Sequence, residues 1–375
     1  MGKTKNQHYV SRSILQHFAN TKDQVHECLV QDKKIYMSNI NNSMSGNLIY
    51  EHTSLETNTI ENTFSKIEAK VMPKIKMIID CLTNDMSEKH KLDTIKKIVE
   101  EILLELLIFY YRSGALLNEY QFANKDRDQT ILNLLEHIHN SSYLKALKRT
   151  IIDYYDFAII KSENNNFILS DQYISTASLN MNFFFLNLNN RQMGLKDVII
   201  LIPLTSQYYI SFFNGNKPPY INKNKINLLD DREVDLINKV IINNSYNKCI
   251  AQSKKSIENV IDQFTIKSPY GFIGLYSGGR VNNRILKKHV FFYEEDQKAY
   301  DLCSSANNKN YKNTTRNELC LCGSGIKFKN CCLNIYQKVD RAIYNINYNR
   351  DNTNLYTVHP KAILEKAIDQ FDYFQ

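Results

Sequence analysis

The chain has 375 residues, which at roughly 150 residues per domain predicts two domains with room for a small third module. Hydrophobic residues make up 43% and charged residues 23%, ordinary globular proportions that exclude wholesale disorder. Lys and Arg total 47 against 39 Asp and Glu, and the net charge of +8 permits contact with nucleic acid or an anionic surface without demanding it.

Val10, Ile14, Leu15 and Phe18 recur at a helical period and predict a helix over residues 8–19. Two β-prone runs, 25–31 and 34–38, flank Asp32-Lys33 and predict a hairpin. The Asn- and Ser-rich stretch 39–58 predicts an ordered loop. From Thr59 a helical stripe runs through Ile60, Phe64, Ile67, Val71, Ile75 and Ile78. A second long helix is predicted over 88–120 and further helix over 126–155. The most apolar stretch, 98–111, carries Glu100, Glu101 and Glu105. Three carboxylates in that length would be costly in lipid, so it reads as a buried helix and not a membrane span. Residues 1–8 are polar and do not read as a secretory signal, which makes the cytoplasm the expected compartment.

The character changes near residue 156. Short apolar runs at 157–161, 167–170, 183–188, 198–204 and 208–213 predict strands separated by Asn-rich turns. Little helix lies between them, which favours antiparallel or mixed pairing. Helix returns over 231–264, and a last strand is predicted at 289–293. The expected organisation is α+β. A main body, 6–300, has a mainly helical N-terminal half (8–155) packed on a small mixed or antiparallel sheet (156–300). A Ser-, Asn- and Lys-rich linker (304–317), a cysteine module (316–334) and a helical tail (336–375) broken near Pro360 follow.

Cys28, Cys81, Cys249 and Cys303 are scattered singly and read as reduced thiols. Cys320, Cys322, Cys331 and Cys332 cluster, with Gly323-Ser324-Gly325 between them to turn the chain back. Four soft thiolates at this spacing favour tetrahedral Zn²⁺. With no open coordination position, that zinc is structural. The segment resembles the SEC-C motif, a short zinc-binding element appended to many bacterial proteins. Arg316, Asn317, Gly323, Ser324, Gly325, Lys327, Phe328, Lys329 and the four cysteines carry the resemblance. Leu319 and Leu321 stand where the motif usually has Pro, and Ile326 where it usually has Lys. The resemblance implies a protein or ribosomal partner. Lys309, Lys312, Arg316, Lys327 and Lys329 make this module basic, which suits an acidic protein or an RNA surface.

The first 270 residues resemble a bacterial family, domain of unknown function 4238. The matching segments are His8-Tyr9-Val10 with Leu15 and Phe18-Ala19, Thr59 to Asn62 with Ile67-Glu68, Phe109 to Arg112, Phe167 to Asp171, and Ile202 to Thr205. Ser11 stands where the family has Pro, and Gln172-Tyr173 where it has Asn-Pro. No mechanism accompanies the family, so the chemistry rests on the residues. Glu61 and Glu68 are seven apart and share the edge of the buried helix face. Arg112 closes an apolar helix, Asp171 ends an apolar strand, and His8 precedes the first helix.

Together His8, Glu61, Glu68, Arg112 and Asp171 form a candidate catalytic set. His8 or a carboxylate would be the general base, and Arg112 would hold a phosphate or other anion. Alternatively the carboxylates would hold Mg²⁺ or Mn²⁺ for phosphodiester cleavage. A structural reading stands beside these, with Arg112 paired to Glu61 or Glu68 as an interhelical ion pair. The expected functions are therefore a metal-assisted hydrolase, such as a nuclease in bacterial stress or phage defence, or a non-enzymatic sensor docked through its zinc module.

Overall fold

A computed structural model describes residues 6–113, 126–139, 141–164, 166–180, 193–194, 196–265, 270–277, 280–288, 290–304 and 311–348. The fold is α+β, as the sequence patterning predicts. Two long helices, α2 (Thr59–Thr83) and α3 (Glu88–Tyr111), pack side by side. The buried face of α2 follows the predicted stripe, with Ile60, Phe64, Val71, Ile75 and Ile78 buried and Ile67 half-buried against the core. Two of the three carboxylates in the apolar stretch of α3 are paired. Glu105 pairs with Lys70, and Glu101 with Lys74 at 2.9 Å, both across to α2. Helices α4 (Arg127–His139) and α5 (Ser141–Tyr154) add to the same layer through α3. Among the described residues, no helix is long and apolar enough to cross a membrane.

The strands form two main sheets instead of one small one. A five-stranded sheet has the order β10 (Ile226–Leu229), β5 (Asp156–Ser162), β9 (Tyr208–Asn214), β8 (Val198–Pro203) and β7 (Ser175–Ser178). Only its β10–β5 pairing is parallel. All six residues of β8 are buried, so this strand is covered on both faces. Residues 290–292 run along the β7 edge, with the Phe292 N–H donating to the Ser178 carbonyl at 2.9 Å.

The second sheet is antiparallel, in the order β3 (Lys34–Asn39), β2 (Gln24–Leu29), β11 (Lys248–Ala251) and β6 (Leu169–Ser170). The predicted N-terminal hairpin is β2–β3, and its partner β11 comes from the far end of the body. The two halves of the chain are thus laced into one sheet. Shorter pairs are β1 (Asn6–His8) with β4 (Ser45–Asn47), and β12 (Tyr270–Ser277) with β13 (Arg280–Lys288).

The departures from the sequence reading have local causes. The first helix is only α1 (Arg12–Gln16), because residues 6–8 are drawn into pairing with β4. The predicted helix over 231–264 is α6 (Asp231–Asn244), then β11, then α7 (Lys254–Glu258). A four-residue strand shows no period of its own. Ser175–Ser178 has no apolar run, yet all four residues are buried in β7. The strand predicted at 183–188, the end of the helix predicted to reach 120 and the tail beyond 348 lie outside the described residues.

After residue 292 comes α8 (Glu294–Ser304), and the cysteine module ends in α9 (Leu333–Tyr348). The two helices pack together, and Lys338 on α9 pairs with the buried Asp296 on α8 at 2.6 Å. The module is therefore tied to the body edge through α8.

Candidate active site and candidate metal centre

The apolar packing of α2 against α3 brings Arg112, the residue capping α3, under the start of the chain. Arg112 is 2% exposed. Its guanidinium carbon sits over the Phe64 ring at 4.9 Å and the Phe109 ring at 5.0 Å, so the cation is held by aromatic faces as well as by charge. One terminal nitrogen of Arg112 pairs with Glu68 Oε1 at 2.5 Å. The other Glu68 oxygen accepts from the Ser11 hydroxyl at 2.9 Å. The Arg112 carbonyl accepts from the Tyr50 hydroxyl at 2.6 Å. The loop carrying Tyr50 is stapled to β1, since the Gln7 side chain accepts from the Tyr50 N–H and donates to Glu51, both at 2.8 Å.

His8 and Glu61 sit half-buried at the rim of this centre. The Nε2 of His8 lies 3.0 Å from the Ile40 carbonyl. A carbonyl only accepts, so in the neutral ring Nε2 carries the proton and Nδ1 keeps a lone pair. Burial lowers the His8 pKa from its usual 6.5; the Ile40 carbonyl and Glu68 oppose the shift, and Arg12 and Arg112 add to it. Glu61 shifts the other way. Burial raises its pKa from 4.5, Arg112 opposes the rise, and Glu68 and Glu51 reinforce it. A base inclined to be neutral and an acid inclined to be protonated thus share one environment.

Asp171 is placed differently. Its Oδ1 accepts from the Tyr246 N–H at 2.9 Å, and Oδ2 from the Asn247 and Lys248 N–H groups at 2.7 and 3.0 Å. This carboxylate fastens the turn that leads into β11. Its charge also acts on the neighbouring Tyr9, whose pKa burial raises strongly, with Asp171 and Glu27 adding to the rise. The structure therefore pairs Glu68 with Arg112 and sets His8 and Glu61 within reach of both charges, while Asp171 is engaged with the backbone that leads into β11.

Sequence patterning does not single out Tyr9, Ser11, Tyr50 or Tyr173 as site residues. Tyr50 lies in an Asn- and Ser-rich loop with no chemical pattern around it. Glu27 is equally silent in the sequence. It is 1% exposed and accepts from Tyr36 and from the Ser43 hydroxyl, and it pairs with Lys248 at 2.7 Å. Fully partnered, Glu27 holds β2, β3 and β11 together.

The cysteine centre is built locally. Leu319 bridges to Lys327 in antiparallel fashion, and the Cys320 N–H donates to the Ile326 carbonyl at 2.8 Å. Gly323 and Gly325 close this hairpin at φ +79° and +71°, a left-handed geometry that an L side chain rarely adopts. A 3-10 turn, Phe328–Asn330, then brings Cys331 and Cys332 back. Tyr311, Phe328 and Tyr336 pack beneath with ring centroids 5.7–6.2 Å apart.

The four sulfurs all lie within 4.8 Å of one another, with Cys322–Cys331 at 3.5 Å and Cys331–Cys332 at 3.8 Å. Tetrahedral Zn–S bonds of about 2.3 Å require sulfurs about 3.8 Å apart. The Ser324 hydroxyl, ahead of other hydrogen bonds, pulls the Cys322 thiol down to about 6, while burial pushes Cys332 up. Four thiolates this close need a cation among them, and the soft, closed donor set fits zinc. Among the described residues this is the one group of three or more His, Cys, Asp or Glu gathered for a metal. His8, Glu61, Glu68 and Asp171 do not form a ligand set for Mg²⁺ or Mn²⁺.

The molecule is thus an α+β protein with a buried arginine centre in its body and a short four-cysteine metal module at one edge. A family model described as a protein of unknown function, DUF4238, matches residues 6–256, and a SEC-C motif matches residues 316–334. The chain belongs to the DUF4238 family. Searches of curated proteins and of solved structures found no match.

Proposed function

We propose that the body is a hydrolase acting on phosphodiesters, with nucleic acid as its substrate. The observation that supports this reading is the convergence of His8, Glu61 and Glu68 on Arg112, with acid and base shifted toward the forms that catalysis needs. Arg112 anchors the phosphate. The Nδ1 of His8 takes a proton from a water that attacks phosphorus. The bond from phosphorus to the leaving oxygen breaks, and that oxygen receives the Glu61 proton. One water is consumed, and before the next turnover His8 gives up its proton to solvent while Glu61 takes one back, restoring the starting forms of base and acid. Mg²⁺ or Mn²⁺ is not required by this scheme, and bacterial stress or phage defence is the setting it suits.

The test is incubation of the zinc-loaded protein with DNA and with RNA, with and without Mg²⁺ or Mn²⁺. The pH profile should be a bell. Activity rises as His8 loses its proton below pH 6.5 and falls as Glu61 ionises above pH 4.5. His8→Gln should lower kcat by about 10²–10⁴ with little change in Tm. No cleavage at high enzyme concentration under any of these conditions would sink the reading.

A specific observation favours a second role for the module. Leu319, Leu321 and Ile326 are 66%, 49% and 48% exposed, beside Arg316, Lys327 and Lys329. An apolar centre with a basic rim suits an acidic protein surface better than RNA, where aromatic stacking is the usual device. The paired change Leu321→Asp and Ile326→Asp leaves the cysteines untouched. It should remove whatever co-purifies through the module while retaining the metal, and an unchanged partner set would count against docking.

A further inference from the structure

Two buried donors at the arginine centre have no hydrogen-bond partner among the described residues: Nε of Arg112 and the hydroxyl of Tyr173. Each residue is 2% exposed. They share a neighbour. The Tyr173 ring packs edge-on against Phe109 at 6.0 Å, and the Arg112 guanidinium lies over that same Phe109. The Arg112 charge acts on the Tyr173 hydroxyl, opposing the rise in pKa that burial causes. Tyr173 is also strained, at φ +67°, a region that bulky residues avoid. Its N–H donates to the Ser170 carbonyl at 3.1 Å, and the Gln172 N–H to the Ser170 hydroxyl at 3.0 Å, so the turn that imposes this strain is well tied. Proline cannot take this φ, so the turn belongs to the Gln172-Tyr173 sequence. A strained residue carrying an unpaired buried hydroxyl is a double cost without an occupant to relieve it.

We infer that Arg112 Nε–H and the Tyr173 hydroxyl together bind one oxygen of a tetrahedral oxyanion, the phosphate group of the substrate. This rests on the hydrolase reading of the same centre and adds Tyr173 as its second anion-binding residue. Charge sets the condition for binding. Glu68 already neutralises Arg112, so an arriving anion meets the Glu61 carboxyl, whose Oε2 is buried and unpaired. The charged groups acting on Glu61 are Arg112 from α3, Glu68 from α2 itself and Glu51 from the preceding loop. Protonated Glu61 removes the repulsion, and its proton becomes a third donor.

Binding of sulfate and of inorganic phosphate to the full-length zinc-loaded protein tests this, read by calorimetry at pH 5 and pH 7. Sulfate keeps its charge across that range, so its pH dependence reports the protein. Wild type should bind both ions, sulfate more tightly at pH 5. Tyr173→Phe should weaken binding roughly tenfold or more, as expected for a hydrogen bond to a charged group. Its ligand-free Tm should be unchanged or higher, because the lost hydroxyl has no partner in the fold. Glu61→Gln should strengthen sulfate binding at pH 7 and leave only the pH dependence that protonation of His8 contributes, and the double change with His8→Gln should flatten it.

No binding by wild type at tens of millimolar, or equal affinity in Tyr173→Phe, would overturn the inference. So would a lower ligand-free Tm in Tyr173→Phe with affinity intact, which would mark the hydroxyl as structural. Failure of the hydrolase reading looks different: sulfate binds as described, but no phosphodiester is cleaved.

Discussion

The cysteine centre and the arginine centre both bring reactive polar groups together, but they depend on different organisers. The cysteine centre lies within residues 320–332 and rests on only a small aromatic cluster, Tyr311, Phe328 and Tyr336. So little apolar surface cannot offset the entropy of ordering the chain, so the metal must act as its core. The arginine centre draws on residues from His8 to Tyr173, positioned by a large hydrophobic core of which Tyr50, Phe64, Phe109 and Tyr173 are only a small part. Its polar groups are carried by packing. Removing the organiser should therefore collapse the module completely and locally. Removing a polar group from the arginine centre should have a graded cost.

The largest expected effect tests the first half of that contrast. Metal analysis should give about one zinc per chain, and Cys320→Ser or Cys332→Ser should abolish it. Structural zinc in such small modules contributes about 10–16 kcal/mol of apparent binding free energy. Limited proteolysis should then cut within 311–334 in the variants while the body keeps its melting transition. Retention of zinc by either variant, or loss of the body transition with the metal, would show that the two centres are not organised separately.

Arg112 provides the next largest effect and tests the second half. Arg112→Ala leaves the space between Phe64 and Phe109 unfilled and a partly buried Glu68 unpaired, which should cost about 3–5 kcal/mol. Arg112→Met refills that space without the charge, and Glu68 keeps its bond from Ser11 and its 26% exposure. If packing is the organiser, denaturant unfolding should show Met recovering more than half of the loss. Equal losses for Ala and Met would make the ion pair itself the organiser.

The same contrast decides what can be read from the sequence. The cysteine ligands, their spacing and the Gly-Ser-Gly turn are contiguous, so the metal centre is legible from the order of residues alone. The α2 stripe and the β2–β3 hairpin are legible because period and turn chemistry are local. At the arginine centre, His8, Glu61, Glu68 and Arg112 stand out as polar groups at the margins of apolar elements. Their convergence depends on tertiary packing, which one sequence does not reveal. Tyr50 and Glu27 give no signal, since a tyrosine in a polar loop or an acid in a strand looks ordinary until its surroundings are known, and Tyr173 is marked only as a departure from the family's Asn-Pro. Asp171 is conspicuous for a reason of its own, as three backbone N–H groups near β11 share its carboxylate.

The smallest effect separates the metal's contribution from the chain's within the module. Gly323 sits at φ +79°, and a Cβ placed there would meet nothing within 4 Å. Steric room is therefore not what requires glycine. An alanine would suffer only the left-handed backbone penalty, about 1–2 kcal/mol. Because folding of the module and metal binding are one equilibrium, that penalty should appear as zinc affinity weakened roughly tenfold, at about 1.4 kcal/mol per tenfold. A chelator competition would read it. Gly323→Asn should lose less, since asparagine tolerates this backbone region better. The body's melting transition should not move for either variant, because Gly323 touches only the hairpin that the metal closes. A change in zinc affinity much larger than tenfold would mean that alanine disturbs the ligand geometry beyond the backbone penalty at this one residue. A change too small to measure would mean that the turn is already shaped before the metal arrives, so that the penalty falls equally on the metal-free chain and cancels from the affinity.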